Sequence, residues 1–269
     1  MTGIVLAITA DADSGFWQWV AYLWVTYWPM FLRGAGITLL IAITGTLIGS
    51  VIGLIIGVIR TIPVGANDSA LKRGLLRVIN VILSAYIEVF RGTPMMVQAM
   101  IIFYGAAFAG VFLNRILAGV LIVSINTGAY MAEIVRGGII SIDKGQFEAA
   151  HSIGMTHYKT MKKIILPQVI RNILPATGNE FVINIKDTSV LSVISVSELF
   201  FSTRSIAGAH FKFFEAFTIT CVVYFILTFT VTRILKLIEK KLEGSDTYTI
   251  HGSHTLVETE FKVTEGHRE

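Results

Sequence analysis

A chain of 269 residues in which only 15% of positions are charged while 54% are hydrophobic has too little charge to solvate an ordinary soluble domain. Cysteine is nearly absent. Cys221 stands alone in an apolar run, which excludes an intramolecular disulfide and leaves the redox compartment undefined. No G-x-x-x-x-G-K-[ST] phosphate loop occurs, so the chain does not itself hydrolyse ATP by that route. Neither H-E-x-x-H nor G-x-S-x-G is present, and an intramembrane enzyme therefore has no visible catalytic constellation. His151 and His157 lie six positions apart, a poor spacing for a metal on one helix, and no metal site is expected. The start Met-Thr-Gly-Ile-Val-Leu-Ala lacks a basic segment, which argues against a cleaved signal peptide. What remains is an integral membrane protein. Its net charge of +4 and pI near 9.2 are explained by basic cytosolic loops, and no nucleic-acid partner is expected.

The aromatic residues are unevenly spread. All four tryptophans, Trp17, Trp19, Trp24 and Trp28, fall with Tyr22 and Tyr27 in residues 16–32. Such rings settle at headgroup level, so an amphipathic helix lying on one leaflet is expected here, a short extra span being the alternative. Pro29 and Arg33-Gly34 should break it. Residues 36–59 make a first span in which Gly45, Gly49, Gly53 and Gly57 recur every fourth residue, a smooth face for close packing of another helix. Residues 78–113 are too long for one untilted span and are interrupted at Arg91-Gly92-Thr93-Pro94, where Pro94 should kink or break the helix. Glu88 and Arg91 are expected to pair near the cytosolic interface. A third span covers 116–135, with Glu133 and Arg136 repeating that spacing. A fourth, over 175–200, carries Glu180, Asn184, Lys186, Asp187, Thr188 and Ser189. Charges at that depth are costly unless paired or facing a wet cavity, so this span should face the protein interior or a pathway. A short loop at 207–211 leads to a fifth span at 213–235.

The expected fold is an all-α membrane protein: five transmembrane helices, an N-terminal interfacial amphipathic helix and a cytosolic helical hairpin. Its segments are an aromatic N-terminal stretch at 1–34, a transmembrane unit at 35–240, and a polar cytosolic tail at 241–269 whose Thr, Ser, Glu and His content points to disorder. Loops at 60–77, 136–171 and 233–241 hold 4, 6 and 4 Lys plus Arg residues, whereas the other side has Arg33, Arg115, Arg204 and Lys212. The basic loops are therefore cytosolic, with the C-terminus inside and the N-terminus outside.

Between the third and fourth spans stands a polar island, Asp143 to Pro167. Asp143 with Gln146 reads as a capping box for a helix through about residue 152, and Gly154 can take the left-handed conformation that ends it. Thr156 should cap a second helix with Tyr158, Met161 and Ile165 on one face and Lys159, Lys162 and Lys163 on another, ending or kinking at Pro167. Two short amphipathic helices cannot cross a bilayer, so the hairpin lies at the membrane surface and offers a grip to a soluble partner.

Glu148-Ala149-Ala150, followed at fixed spacing by Gly154, Ile164 and Leu166-Pro167, resembles the EAA loop of bacterial ABC importer permeases. In that family the loop seats in a groove on the ATP-hydrolysing subunit. The resemblance therefore implies ATPase coupling through Glu148, Ala149, Ala150, Gly154 and Pro167. Glu88-Val89-Phe90-Arg91-Gly92-Thr93-Pro94, the run from Ala129 to Gly138, and Lys186-Asp187-Thr188-Ser189-Val190 are similar to the polar amino acid branch, and the likeness covers most of 30–240. It implies a permease of the bacterial cytoplasmic membrane taking up amino acids such as glutamine, glutamate, arginine, histidine or cystine. Its partners would be an extracytoplasmic binding protein, a second permease chain, identical or paralogous, and two ATPase subunits. ATP and Mg would sit on those ATPases, with no cofactor on this chain.

The substrate path is expected to involve Lys186, Asp187, Thr188 and Ser189, with Ser124, Asn126 and Glu133 on the third span; the alternative is that Lys186 and Asp187 pair within the permease and only hold the helix ends in place. Glu88, Arg91, Gly92, Thr93 and Pro94 form the structural motif at the break. The competing class is a channel or secondary transporter driven by ion gradients, with Glu133, Lys186 and Asp187 as a relay. Inverted repeats would support it, and none is visible. A receptor or scaffold whose hairpin docks a signalling protein is a third class.

Overall fold

The computed structural model describes residues 10, 14–65 and 68–243, and every regular element among them is helical. The expected polar tail lies, from residue 244 on, outside the described residues. In order the chain forms α1 (Phe16–Arg60), α2 (Ala70–Gly92), α3 (Met95–Phe108), α4 (Arg115–Ile140), α5 (Lys144–Ser152) and α6 (His157–Thr160). A π-turn at Met161–Ile165 leads into α7 (Leu166–Asp187). A 3₁₀ segment at Thr188–Ile194 then precedes α8 (Leu199–His210) and α9 (Phe213–Glu243).

The N-terminal segment differs from expectation. Instead of an interfacial helix broken near Pro29, α1 runs unbroken for 45 residues through the 34/35 boundary. At 1.5 Å per residue it is about 67 Å long, roughly twice the hydrocarbon thickness. Packing carries it past the proline. Leu23, Phe31 and Trp19 are buried against Leu199, Ile206 and Ala216 of α8 and α9, and a Cβ on Gly34 would lie 2.9 Å from the Leu199 Cα. Trp17, Trp24 and Trp28 stay exposed, so the aromatic band is one face of a long helix rather than a helix of its own.

The glycine ladder does what its spacing predicts. Cβ atoms built on Gly45, Gly49 and Gly57 would sit 2.5 to 2.7 Å from Val123, Thr127 and Val135, and one on Gly53 would collide with Met131. Numbers rise together on both helices, so α1 and α4 run parallel, each glycine receiving one α4 side chain. Close backbone approach of this kind is the main source of helix adhesion where lipid removes the hydrophobic drive. A buried polar knot fastens α7 to the pair: Asn184 Nδ2 donates to Thr46 Oγ1 at 2.8 Å and to Thr127 Oγ1 at 2.9 Å.

Two further expectations change. The loop expected at 207–211 is the end of α8, with Ala207 fully buried, and only a tight turn at Phe211 and Lys212 remains. The α8 start is fixed by Glu198, a fully buried carboxylate that accepts from the Phe200 and Phe201 backbone N–H groups and from the Tyr224 hydroxyl. By length and apolarity α1, α4 and α9 can each cross a membrane, and α6 through α8, bent by 54°, makes a fourth if the bent pair is one span rather than a re-entrant loop. The crossing expected at 78–113 is divided, as Pro94 requires, into α2 and the shorter α3. Apolarity alone therefore does not establish five.

Candidate functional site

The hairpin forms where expected, with its details redistributed. Asp143 caps α5 by accepting from Gly145 N at 2.6 Å, but no capping box closes, because Gln146 turns away to pair with Gln168. In that pairing Gln168 Nε2 donates to Gln146 Oε1 at 2.7 Å, tying α5 to the first turn of α7. Gly154 adopts φ 80°, its N–H donating to the His151 carbonyl at 2.9 Å and the Met155 N–H to Ala150 at 3.0 Å. Thr156 caps α6 through Lys159 N at 3.4 Å.

The second arm does not end at Pro167. It passes through the π-turn, in which Leu166 N–H donates to the Met161 carbonyl, and Pro167 falls in the first turn of α7, where its missing N–H is tolerated. Met161 and Ile165 are buried with Val135, Ile139, Ile142 and Val169, so the hairpin base is clamped between α4 and α7. Tyr158 does not join them. It is 70% exposed with the Lys162 ammonium over its ring. Glu148, Ala149 and Ile153 are exposed as well, while Ala150 faces inward. The hairpin thus shows a small-residue, partly apolar surface on a rigid base. Burial first, then the charges of His151 and Lys72, push the His157 imidazole below its usual range.

Just above the hairpin, Glu133 accepts from Arg60 at the end of α1 and from Arg136 at 2.9 Å. Arg60 also donates to Ser84 at 3.2 Å. One carboxylate therefore joins α1 and α4 beside α2, and Glu133 lies at this junction rather than near Lys186. The expected Glu88–Arg91 pair is not formed. Arg91 places its guanidinium 5.4 Å from the Tyr130 ring centroid, which leaves Glu88 free to face outward.

Glu88 and Arg91 belong to a polar face. On α2, Arg77, Asn80, Ser84, Glu88 and Arg91 recur at helical spacing, and the first four border a groove of about 490 Å³. Asn80 Oδ1 is buried without a hydrogen-bond partner. Glu180 of α7 feels the charges of Asp187 on its own helix and of Arg91 on α2. Lys186 and Asp187 are both exposed and do not pair with each other; Lys186 lines a cavity with Arg233 and Lys236 of α9.

The other expected path residues sit elsewhere. Thr188 is fully buried and donates to Ile185 O, and Ser189 is half-buried beside it. Ser124 is buried in the α1–α4 seam and donates to Val120 O. Asn126 clamps the break at Pro94: its Nδ2 donates to Phe90 O at 3.2 Å and to Gln98 Oε1 at 3.0 Å. Gln98 Nε2 in turn donates to Phe90 O and Thr93 O, so the Phe90 carbonyl orphaned by the proline and the Thr93 carbonyl at the break are both satisfied. Sequence reasoning missed Gln98, Gln168, Asn80 and Ser84. The last two were within reach, because polar residues at i, i+3, i+7 and i+11 from Arg77 mark one face of a helix.

A rigid helical base carrying a surface hairpin, below a polar face set in apolar helices, defines a membrane transport subunit driven from outside itself. Residues 69–244 match the family model described as "Binding-protein-dependent transport system inner membrane component". The chain is 36% identical over 226 residues to the glutamine transport system permease protein GlnP of Escherichia coli K12, covering 82% of this chain and 97% of that one. It is 33% identical over 219 residues to the arginine transport system permease protein ArtQ of Bacillus subtilis, covering 81% and 94%. A solved amino acid ABC transporter with histidines superposes with a TM-score of 0.70 at 38% identity, covering 81% of this chain and 96% of that one. An inward-facing MetNI methionine transporter shares the fold, with a TM-score of 0.60 at 18% identity. The chain belongs to the binding-protein-dependent transport family. It is a multi-pass permease subunit of an ABC importer, with ATP hydrolysis in a separate partner.

Proposed function

We propose that this chain forms the translocation pathway of an ATP-driven importer for polar amino acids, coupled to its ATPase through the α5–α6 hairpin. The observation that carries the coupling is the hairpin itself. Glu148, Ala149 and Ile153 are presented outward while Ile142, Met161 and Ile165 fix the base. A partner that moves the hairpin moves α4 and α7 with it. The relatives' names support amino acids as cargo, and the polar groups of α2 and α7 support it chemically, because Glu88, Arg91, Glu180 and Asp187 offer both signs of charge to a zwitterion losing water.

On this reading the face lines the path between two permease chains, identical or paralogous, and α2 with α3 makes the fifth crossing. Thr188 and Ser189 shape the path end through the backbone, and Asp187 and Lys186 meet the substrate. The hairpin side is cytosolic, two ATPase subunits bind there with ATP and Mg, and the N-terminus is outside with the extracytoplasmic binding protein. Binding energy alone gives no uphill transport; the two conformations must differ in affinity for both engine and cargo.

The test is uptake of radiolabelled amino acids by proteoliposomes holding this permease, its ATPase and its binding protein. Uptake requiring ATP and the binding protein is expected. Uptake that follows an imposed ion gradient without ATP would favour the secondary transporter instead.

A further inference from the structure

At the end of the helices farthest from the hairpin, a polar pocket of about 520 Å³ opens where four stretches of chain meet. Arg33 of α1, Phe103 of α3, Asn114 and Arg115 at the head of α4, and Ser195 and Ser197 beyond the 3₁₀ segment line it. Its position follows from the helix lengths. Arg33 is about 40 Å along α1 from the Arg60 junction, and Arg115 begins the helix whose other end leads into the hairpin.

The pocket carries two positive charges and no negative one. No carboxylate lines it, and among the described residues neither Arg33 nor Arg115 has an ion pair or hydrogen bond. Both are exposed. Asn114 Oδ1 is already engaged, accepting from Ile116 N at 2.9 Å and Leu117 N at 3.4 Å, and so adds no competing acceptor. Ser195 stands at φ 59°, a left-handed conformation that a non-glycine residue keeps only where its surroundings enforce it, often at functional sites. Ser197 is exposed beside it. Two guanidiniums with convergent hydroxyls suit one class of ligand, since a guanidinium presents a planar fork matched to a carboxylate.

We propose that the Arg33–Arg115 pocket captures a carboxylate at the outer mouth of the permease. The inference rests on the orientation given above. The carboxylate has two candidate sources, the amino acid leaving the binding protein or an acidic side chain of the binding protein itself. Both arrive from the same side and meet the same two charges.

Ser197→Cys in a Cys221→Ser background gives a thiol in the pocket to read its field. The probes are the anionic sulfonatoethyl methanethiosulfonate and its cationic trimethylammonium analogue, applied to intact spheroplasts. Referred to the rates of a free thiol in solution, the anionic reagent should be favoured over the cationic one about tenfold, the low end of what a focused field gives, and R33Q/R115Q should abolish the preference. A rate ratio equal to that of the free thiol with both arginines present would overturn the pocket. L-glutamine in excess, or the purified binding protein of the same system, is then added before the reagent. Slowing by the free amino acid assigns the carboxylate to the cargo, slowing by the binding protein alone assigns it to that protein, and slowing by neither overturns capture. Labelling of the introduced thiol only after the membrane is opened would overturn the outward placement, while the rate ratio in opened membranes would still judge the charge preference separately.

Discussion

Gly154 allows the coupling assignment to be tested without disturbing the bundle. Its φ of 80° lies where a Cβ meets the neighbouring carbonyl, yet a Cβ built there would touch nothing within 4 Å. Gly154→Ala therefore adds backbone strain and no clash. The cost is about 1 to 2 kcal/mol, enough to lower the population of the closed turn about 5- to 30-fold relative to its open forms. Asn tolerates the left-handed region better than other non-glycine residues, so Gly154→Asn should cost less. Gly154→Val should cost more than Ala.

The assay is ATP hydrolysis by the reconstituted permease and ATPase, stimulated by loaded binding protein, beside hydrogen exchange at Gly154 and Met155. Exchange should rise in the order Gly, Asn, Ala, Val, and stimulation should fall in the same order, with membrane insertion unchanged. Wild-type stimulation by Gly154→Val despite raised exchange would refute the coupling role. An equal loss for Asn and Ala would refute the conformational cause and point to contact with the added side chain.

Three other outcomes are expected. Glu133→Gln leaves Arg60 and Arg136 sharing a neutral amide; at 23% side-chain exposure the junction is partly screened, so a loss of about 1 kcal/mol is expected, read as a lower melting temperature of the detergent-purified chain. Asn184→Leu removes the amide that joins Thr46 and Thr127 and should cost about 1 to 3 kcal/mol, with Thr127→Val smaller because Thr46 keeps its partner. The lowered pKa of His157 means the folded hairpin holds that proton more weakly than the unfolded one, so its contribution is full above about pH 6.5 and is lost as pH falls through the lowered folded value. Stimulated hydrolysis should fall on acidification in that window, and His157→Gln should flatten the dependence.

Periodic features of the sequence were legible because the physics behind them is local. Four glycines at spacing four announced a close seam, and Gly154 announced a left-handed turn; both depend on the absence of one atom. The path of α1 through Pro29 was not legible, since the compensating contacts come from Leu199 and Ala216, far along the chain. Gln146 read as a cap from its neighbours, yet it met Gln168, a partner that exists only after the hairpin folds. The Glu88–Arg91 pair failed for a related reason: Tyr130 on another helix offered Arg91 a ring face. The stripe from Asn80 to Glu88 is legible as polar residues at helical period, although Asn80 and Ser84 carry no charge to set them apart.

The packing divides the subunit into a stiff part and a part that can yield, and the hairpin is joined to both. Through Ile142 and Val135 it grips α4, whose glycine seam with α1 has no spare volume to deform, so these two helices can only travel together. Through Ile165, Val169 and the Gln146–Gln168 pair it grips α7, which is tied to the seam at Asn184 and then loses α-helical form at Thr188. Beyond that point come Ser195 and Phe211, the two non-glycine residues at positive φ among those described. On the proposed coupling, bending would fall between Asp187 and Ser195, where the α-helical form is lost, with the hairpin base, α4 and α1 carried together. A substitution that strains the seam, such as Gly53→Ala against Met131, should disrupt assembly of the whole bundle. A substitution at Gly154 should leave the bundle intact and uncouple it.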